Sequence, residues 1–211
     1  MPSIERIPCG YMNCFLVSEG EDTILVDTAL TKYRETILKS CQRRNIRLIV
    51  LTHGHIDHVQ NAAYLSERFK APIAMHRSDD PLIKDNRDEP LSAHTILGRI
   101  LLSMTIKLSQ NAAIPSFEVQ EYIKEGDTLE KYGIEAQVIE LTGHPKGSIG
   151  LLVGQEDLIV GDALMNMIYP SPSLIYGNRS QMELSVNKIS QSTAKMIHLG
   201  HGKSIPIESF R

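Results

Sequence analysis

Residues 52–58 read Thr52-His53-Gly54-His55-Ile56-Asp57-His58 and follow directly on an apolar stretch, 46–51, that is predicted to form a buried strand. Loops beyond the C-terminal ends of strands are where α/β proteins place their ligand sites. Three imidazoles and a carboxylate in one short loop are a dense supply of ligands for a borderline metal such as zinc. The segment therefore predicts a metal site, and a group of merely packed or solvated histidines is the weaker interpretation.

Three later loops each place one further candidate ligand after an apolar stretch. His144 lies in the sequence LTGHPKGS, Asp162 in IVGDA and His201 in HLGHG. Taken singly, each residue fits an ordinary turn equally well. Because all three follow predicted strands, we expect them to meet the first loop at one site.

Composition narrows the class of protein. The chain has 211 residues, of which 42% are hydrophobic and 22% charged, as expected for one globular domain spanning 1–211. A net charge of -3 gives no electrostatic reason to expect a nucleic acid or an anionic membrane as partner. The N-terminus has no signal-peptide core, so we expect a cytoplasmic protein that acts on a small molecule and keeps Cys9, Cys14 and Cys41 reduced.

The pattern of apolar and turn residues predicts a layered α/β domain with helices covering sheets. We expect a hairpin over 14–26, strands near 46–51, 136–141, 148–153, 157–160 and 196–199, and helices near 32–43, 59–69 and 181–190. Asp57 is expected to cap the helix over 59–69, and Ser180 with Glu183 to form a capping box for the last helix.

The segment near 78–120 is predicted to be a helical, lid-like insertion. Its helix over 92–108 carries one apolar stripe, made of Ile96, Leu97, Ile100, Leu101, Met104 and Leu108. Such a stripe usually packs into the core. A lid over the site or the face of a homodimer are the alternatives that the sequence leaves open.

With these motifs in place, the sequence resembles the metallo-β-lactamase-fold superfamily. The resemblance covers nearly the whole chain and rests on NCFLV, ILVDT, THGHIDH, GHPKGS, GDA and GHG, in that order. It implies a four-layer αββα sandwich with metal ions at one edge of its paired sheets.

The resemblance also implies a role for each candidate ligand. The first metal would be bound by His53, His55 and His144, the second by Asp57, His58 and His201, and Asp162 would bridge the two. Asp27, in the VDT motif, matches a family residue that braces the metal loops, although a simple turn residue is an equal reading.

The chemistry implied is hydrolysis by a hydroxide that two divalent ions share. Zinc is the expected metal, with iron or manganese as alternatives. The hydroxide would attack an ester, thioester or lactone, while Asp57 would act as the catalytic residue that orients it and passes a proton to the leaving group.

Three other functions remain open at this point. A persulfide dioxygenase of the same fold uses a single iron, and a phosphodiester hydrolase uses the same two-metal chemistry on another substrate. A metal-binding protein without turnover is the third. Structural zinc sites are usually closed and rich in Cys, whereas this set has no Cys.

Several residues near the motifs are given minor roles. His76 is expected to be solvated, to line the substrate side or to support the ligands, His94 to be structural or exposed, and His198 to pack or to support the ligands. Met165 stands where quorum-quenching lactonases carry a Tyr, and Tyr169 is expected to be a packed residue rather than a replacement.

Overall fold

The computed structural model of the chain describes residues 1–85 and 91–210. Its first sheet has the strand order β1-β2-β3-β4-β5-β6. These strands are β1 (Ser3–Cys9), β2 (Met12–Glu19), β3 (Asp22–Val26), β4 (Asn45–Val50), β5 (Ile73–Met75) and β6 (Glu121–Tyr122). The first three strands pair antiparallel and β3 to β6 pair parallel.

The second sheet has the order β13-β12-β9-β8-β7, and a separate short hairpin lies beside it. The sheet consists of β7 (Ala136–Glu140), β8 (Ile149–Val153), β9 (Asp157–Ile159), β12 (Met196–His198) and β13 (Ile205–Pro206). The hairpin is β10 (Leu164–Asn166) with β11 (Pro170–Pro172). The α-helices are α1 (Arg34–Ser40), α2 (Ile56–Val59), α3 (Ala62–Phe69), α4 (Asp80–Lys84), α5 (Ile96–Asn111) and α6 (Arg179–Ser190).

Alternating side chains of the central strands build two separate cores. Val26 and Val50 point between the sheets, into one buried cluster with Leu151 of the second sheet. Their neighbours Leu25 and Ile49 point to the opposite face, into a cluster that includes residues of α1 and α3. Because successive side chains of a strand alternate between its faces, strands buried on both sides read as continuous apolar runs.

A third cluster covers the outer face of the second sheet. Leu158 and Ile197 of this sheet pack there with Ile189 of α6. The layers are therefore helices, sheet, sheet and helix, which confirms the four-layer αββα sandwich.

Strand direction brings the predicted ligand loops to one edge. In the first sheet, β3 and β4 run parallel, so the loops after Val26 and Val50 emerge at the same end. In the second sheet, β7 and β9 both pair antiparallel with β8, and β9 runs parallel to β12. The loops after β7, β9 and β12 therefore also share one end, and a hydrogen bond from Ile149 N–H to Thr52 O joins the two ends.

Two expected helix starts are wrong. The helix expected over 59–69 is broken into α2 and α3, because the Asn61 amide donates to the carbonyl oxygens of Thr28 and Leu30. Asp57 does not cap either helix but lies in the first turn of α2. The capping box at Ser180 is also wrong, since Asn178 caps α6 by accepting the N–H of Gln181.

The apolar stripe of α5 does not enter the core as expected. Thr95 caps this helix through the Gly98 N–H, so it begins after the predicted position 92. Ile96, Ile100 and Met104 are 81%, 54% and 64% exposed, and the side chain of Leu108 lies outside the described residues. No helix within 1–85 or 91–210 is both long and apolar enough to cross a membrane.

Leu151→Ala should lower the free energy of unfolding by about 2–5 kcal/mol, because it opens a cavity between the sheets where neighbours cannot collapse. Chemical denaturation of the metal-free protein measures this loss. Leu184→Ala on α6, where the side chain is 68% exposed, is the matched control and should stay within about 0.5 kcal/mol of the parent chain. Equal losses in the two variants would contradict the inter-sheet core.

Candidate metal centre

All seven predicted ligand residues meet at the common edge of the sheets. They form three overlapping sets of three residues, and within each set the candidate ligand atoms all lie within 4.8 Å of one another. The sets are His53, His55 and His144; His53, His58 and Asp162; and Asp57, His58 and His201. The first and third sets share no residue, so the cluster offers two separate groups of three with Asp162 beside both.

The Asp162 carboxylate occupies the centre of the cluster. Its Oδ2 lies 3.0 Å from Nε2 of His201 and 3.5 Å from Nε2 of His144, and its Oδ1 lies 3.4 Å from Nε2 of His58. The backbone of Gly200 passes so close that a Cβ on that residue would lie 2.3 Å from Asp162 Oδ1. Glycine at this position therefore keeps space open for the central carboxylate.

Three of the histidines are held from outside through Nδ1. The His58 Nδ1–H donates to Asp27 Oδ2 at 2.8 Å, that of His144 to a backbone carbonyl at 2.6 Å, and that of His201 to the carbonyl of Tyr11 at 3.0 Å. A carboxylate or carbonyl can only accept, so each ring carries its proton on Nδ1. In the neutral form of each ring, the Nε2 atom carries the free electron pair and is directed to the centre, which is the arrangement that metal-binding histidines use.

Asp27 braces the first ligand loop, as the resemblance implies. It accepts the Thr52 N–H at 2.8 Å and the Thr52 hydroxyl at 2.8 Å, in addition to the His58 ring. It is also a turn residue, with a left-handed φ of 61°. Asp27 is therefore both a turn residue and a bracing residue. Its buried carboxylate fixes the start of the 52–58 loop at Thr52 and its end at His58.

The residues fit a metal site on chemical grounds. The Nε2 atoms of His53 and His58 and the Oδ1 atom of Asp162 are buried and have no hydrogen-bond partner among the described residues, although the last two atoms lie 3.4 Å apart. Buried polar atoms are expensive to leave unpaired, and a bound ion is one way to satisfy them. A set of imidazoles and carboxylates without Cys suits zinc and also accommodates iron or manganese.

Electrostatics divides the histidines into two groups. Burial, followed by the neighbouring histidines, holds the pKa of His53 and of His55 well below the usual range. Burial alone would also lower the pKa of His58 and His201, but Asp162 and the other nearby carboxylates together outweigh it and raise the pKa of both. Burial would raise the pKa of Asp162 in turn, yet His201 and His58 hold it well below its usual range. Without metal, protonation is therefore favoured on His58 and His201 and disfavoured on the other histidines of the cluster, and bound cations would replace those protons.

A family model described as the Metallo-beta-lactamase superfamily matches residues 7–201, which include every residue of this centre. The chain belongs to the metallo-β-lactamase superfamily. A probable metallo-hydrolase of Methanocaldococcus jannaschii is 25% identical over 202 residues, which cover 92% of this chain and 89% of that relative.

Solved structures agree with this membership at the level of the fold. The B3 metallo-β-lactamase BLEG-1 superposes with a TM-score of 0.77 at 18% identity, covering 98% of this chain and 95% of that one. TTHA1623, solved in a di-iron-bound form, gives a TM-score of 0.69 at 24% identity, covering 98% and 96%.

Asp79 is a residue of the site that the sequence analysis missed. Its carboxylate is completely buried and accepts the backbone N–H of Gly54 at 2.9 Å and of Gly147 at 2.5 Å. It thereby ties the loop of His53 and His55 to the loop of His144 in this metallo-β-lactamase-fold protein. Asp79 follows β5, which runs parallel to β4, so the argument from strand ends that identified the ligands also applies to it.

Tyr11 and Asn13 were also missed, and no local signal marks them. The ring of Tyr11 stacks on that of His201, with centroids 5.6 Å apart. Burial, followed by the Asp57 carboxylate, raises the pKa of Tyr11 to about 12, so its phenol stays protonated at neutral pH. The Asn13 amide donates to the carbonyl oxygens of Leu199 and Gly202 and so fixes the loop that carries His201.

A cavity of about 390 Å³ opens over the centre. Its lining includes five predicted ligands, namely His55, Asp57, His144, Asp162 and His201. The remaining described lining residues are Tyr11, Leu101, Met104, Thr105, Met165, Met167 and Ile175. Helix α5 therefore contributes to the wall of the site, as a lid-like segment would.

The other histidines lie outside the cluster. His76 faces Glu140 at 3.3 Å, His94 contacts the hydroxyl of Tyr176 at 3.2 Å, and His198 lies between Asp157 and Ser204. Tyr169 is 62% exposed in the turn between β10 and β11, so the expectation that it is packed is wrong. Cys9, Cys14 and Cys41 are buried and free.

Asp27→Asn should weaken metal binding by about 10–100-fold, because the amide cannot accept from both Thr52 and His58 as a carboxylate does. Asn tolerates the left-handed backbone at this position, so the fold should survive. Competition with a chromophoric chelator measures the affinity. The control is Asp22→Asn, which changes a partly exposed carboxylate at the start of β3 that pairs with Arg47 of β4, and it should leave the affinity unaltered. Parent-like binding by Asp27→Asn would refute the bracing role.

Asp79→Asn should destabilise the metal-free protein by about 1–3 kcal/mol, because an amide has one acceptor oxygen for two buried backbone N–H groups. Denaturant unfolding measures the loss. Asp127→Asn alters a carboxylate near the surface that accepts one backbone N–H, from Lys124, and should cost less than about 1 kcal/mol. If Asp79→Asn lowered the free energy of unfolding no more than this control does, the hydrogen bonds that join the two loops would not contribute to stability.

Proposed function

We propose that the protein is a metal-dependent hydrolase that holds two divalent ions and cleaves an ester, thioester or lactone. The observation that carries this proposal is the convergence of seven His and Asp side chains whose candidate ligand atoms lie close together. Five of these side chains line the base of a cavity. Zinc is the metal that we expect, and we expect His53, His55 and His144 to hold one ion and Asp57, His58 and His201 the other, with Asp162 between them.

Two relatives support this choice through their own descriptions. The Methanocaldococcus jannaschii protein is named a probable metallo-hydrolase. TTHA1623 is described with two irons, which keeps iron as the alternative metal here. We further propose a small-molecule substrate rather than a nucleic acid or a membrane, since the site is a concave cavity and the net charge is -3.

A metal pair, when bound, lowers the pKa of a coordinated water and polarises the substrate oxygen. The chain's own residues supply the rest. The Asp57 carboxylate lines the cavity, and its Oδ2 lies 3.6 Å from Nε2 of His201. In this position Asp57 can orient a water toward the substrate and then carry its proton to the leaving group. The phenol of Tyr11 remains protonated beside it and can donate a hydrogen bond to the substrate.

The test combines metal analysis with a substrate panel. Protein loaded with zinc, iron or manganese is assayed on a thioester, a lactone, a phosphodiester and a persulfide, with and without chelator. We expect two equivalents of metal and hydrolysis of the thioester or lactone that the chelator abolishes. One bound iron with oxygen-dependent turnover of the persulfide would establish the dioxygenase alternative instead. Cleavage of the phosphodiester alone would show that the protein is a phosphodiester hydrolase and not an ester, thioester or lactone hydrolase.

His55→Ala should lower both bound metal and turnover, because it removes one of three imidazoles from a ligand set. We expect turnover to fall at least 100-fold, measured on the substrate that the panel identifies. His94→Ala is the matched control, since His94 contacts Tyr176 away from the cluster. Two equivalents of metal and full rate in His55→Ala would show that the ligand assignment is wrong.

A further inference from the structure

The cavity over the metal centre has two chemically different sides. The base is formed by the predicted ligands, whereas the wall contains five apolar side chains beside Tyr11 and Thr105. These are Leu101, Met104, Met165, Met167 and Ile175. A volume of about 390 Å³ lies in the range of sites that enclose small molecules.

The ionisable His and Asp groups of the cavity lie at its base and not on its apolar wall. Asp57 and Asp162 contribute carboxylates at the base, and among the described lining residues none is Lys or Arg. A substrate carboxylate or phosphate that lay against the apolar wall would lose its water without gaining a cationic partner there. The part of the substrate that contacts the wall should therefore be uncharged.

The composition of the wall also indicates the shape of that part. Met104, Met165 and Met167 supply three of the five apolar side chains. Methionine is unbranched and polarisable, so it adapts to flexible hydrocarbon better than a wall of branched or aromatic residues does. Such a surface suits an aliphatic chain that can change its conformation.

Helix α5 places this wall next to the reacting position. Leu101, Met104 and Thr105 of α5 line the same cavity as His55 and His201. Ile96, near the start of the same helix, lies in a shallow outer groove that Met104 also borders, and Ile96 does not line the cavity. The helix thus offers a pair of positions for a test, of which Met104 lines the cavity and Ile96 does not.

We propose that the substrate is an ester or thioester whose acyl group is an uncharged, flexible aliphatic chain packed against Leu101, Met104 and Met167. This inference rests on the proposed hydrolase function and narrows it to one class of acyl group.

The first experiment compares thioesters of N-acetylcysteamine in the metal-loaded protein. The acyl groups are acetyl, butanoyl, hexanoyl and adipoyl, the last having the length of hexanoyl with a terminal carboxylate. We expect kcat/KM to rise by up to roughly fourfold per methylene, which follows from the free energy of burying one methylene. The kcat/KM of the hexanoyl thioester should therefore exceed that of the acetyl thioester by at least tenfold. It should also exceed that of the adipoyl thioester by at least tenfold, because the wall offers the terminal carboxylate no cationic partner.

The second experiment moves a charge into the wall. In Met104→Lys, the ratio of kcat/KM for the hexanoyl thioester to kcat/KM for the adipoyl thioester should fall by at least tenfold, because the ammonium gives the terminal carboxylate a partner. Met104 is largely exposed, so the fold should tolerate Lys. Ile96→Lys places the same charge on the outer side of α5 and should leave the ratio unchanged.

Failure of this inference differs from failure of the proposed function. If all four thioesters were cleaved at similar rates, or if Met104→Lys left the ratio unchanged, the protein would be a hydrolase but the acyl class would be wrong. If no ester, thioester or lactone were cleaved, the proposed function would fail. Calorimetry with the corresponding hexanoyl and adipoyl amides would then test the wall directly. At least tenfold tighter binding of the hexanoyl amide would support the inference, and equal binding would overturn it.

Discussion

The buried carboxylate of Asp162 is the point on which the two halves of the fold depend. Its oxygens lie 3.0–3.5 Å from the Nε2 atoms of three histidines, which come from both sheets. An anion and several imidazoles are costly to bury unless they satisfy one another or bind an ion. The apolar clusters on both sides of each sheet offset that cost, because they fix the strands whose ends deliver the ligands.

A set of hydrogen bonds outside the cluster determines how the ligands point. Asp27 holds His58 and Thr52, the carbonyl of Tyr11 holds His201, and Asp79 joins two loops through Gly54 and Gly147. These contacts fix ring orientation and the position of the proton before any metal arrives. A preorganised set of ligands binds metal more tightly and reacts with less rearrangement than a flexible one.

Helix α5 illustrates a compromise between packing and function. Its apolar residues are too exposed for a core helix, with Ile96 at 81% and Met104 at 64%. On its inner side, however, Leu101 and Met104 complete the wall of the cavity over the centre. A helix with few buried apolar contacts opens at a lower free-energy cost than the central strands do.

The sequence by itself determined the layered α/β fold and identified the candidate ligands that the structure brings together, because both depend on local patterns. His53, His55, Asp57 and His58 share one loop, and His144, Asp162 and His201 each follow an apolar strand. Tertiary structure decided the roles of Asp79, Tyr11 and Asn13. It also decided the helix break at Asn61 and the exposure of α5. Their partners lie far away along the chain, as in the bond between His201 and Tyr11, which spans 190 positions. Such partners are chosen by how strands and sheets pack, and no short stretch of sequence records that arrangement.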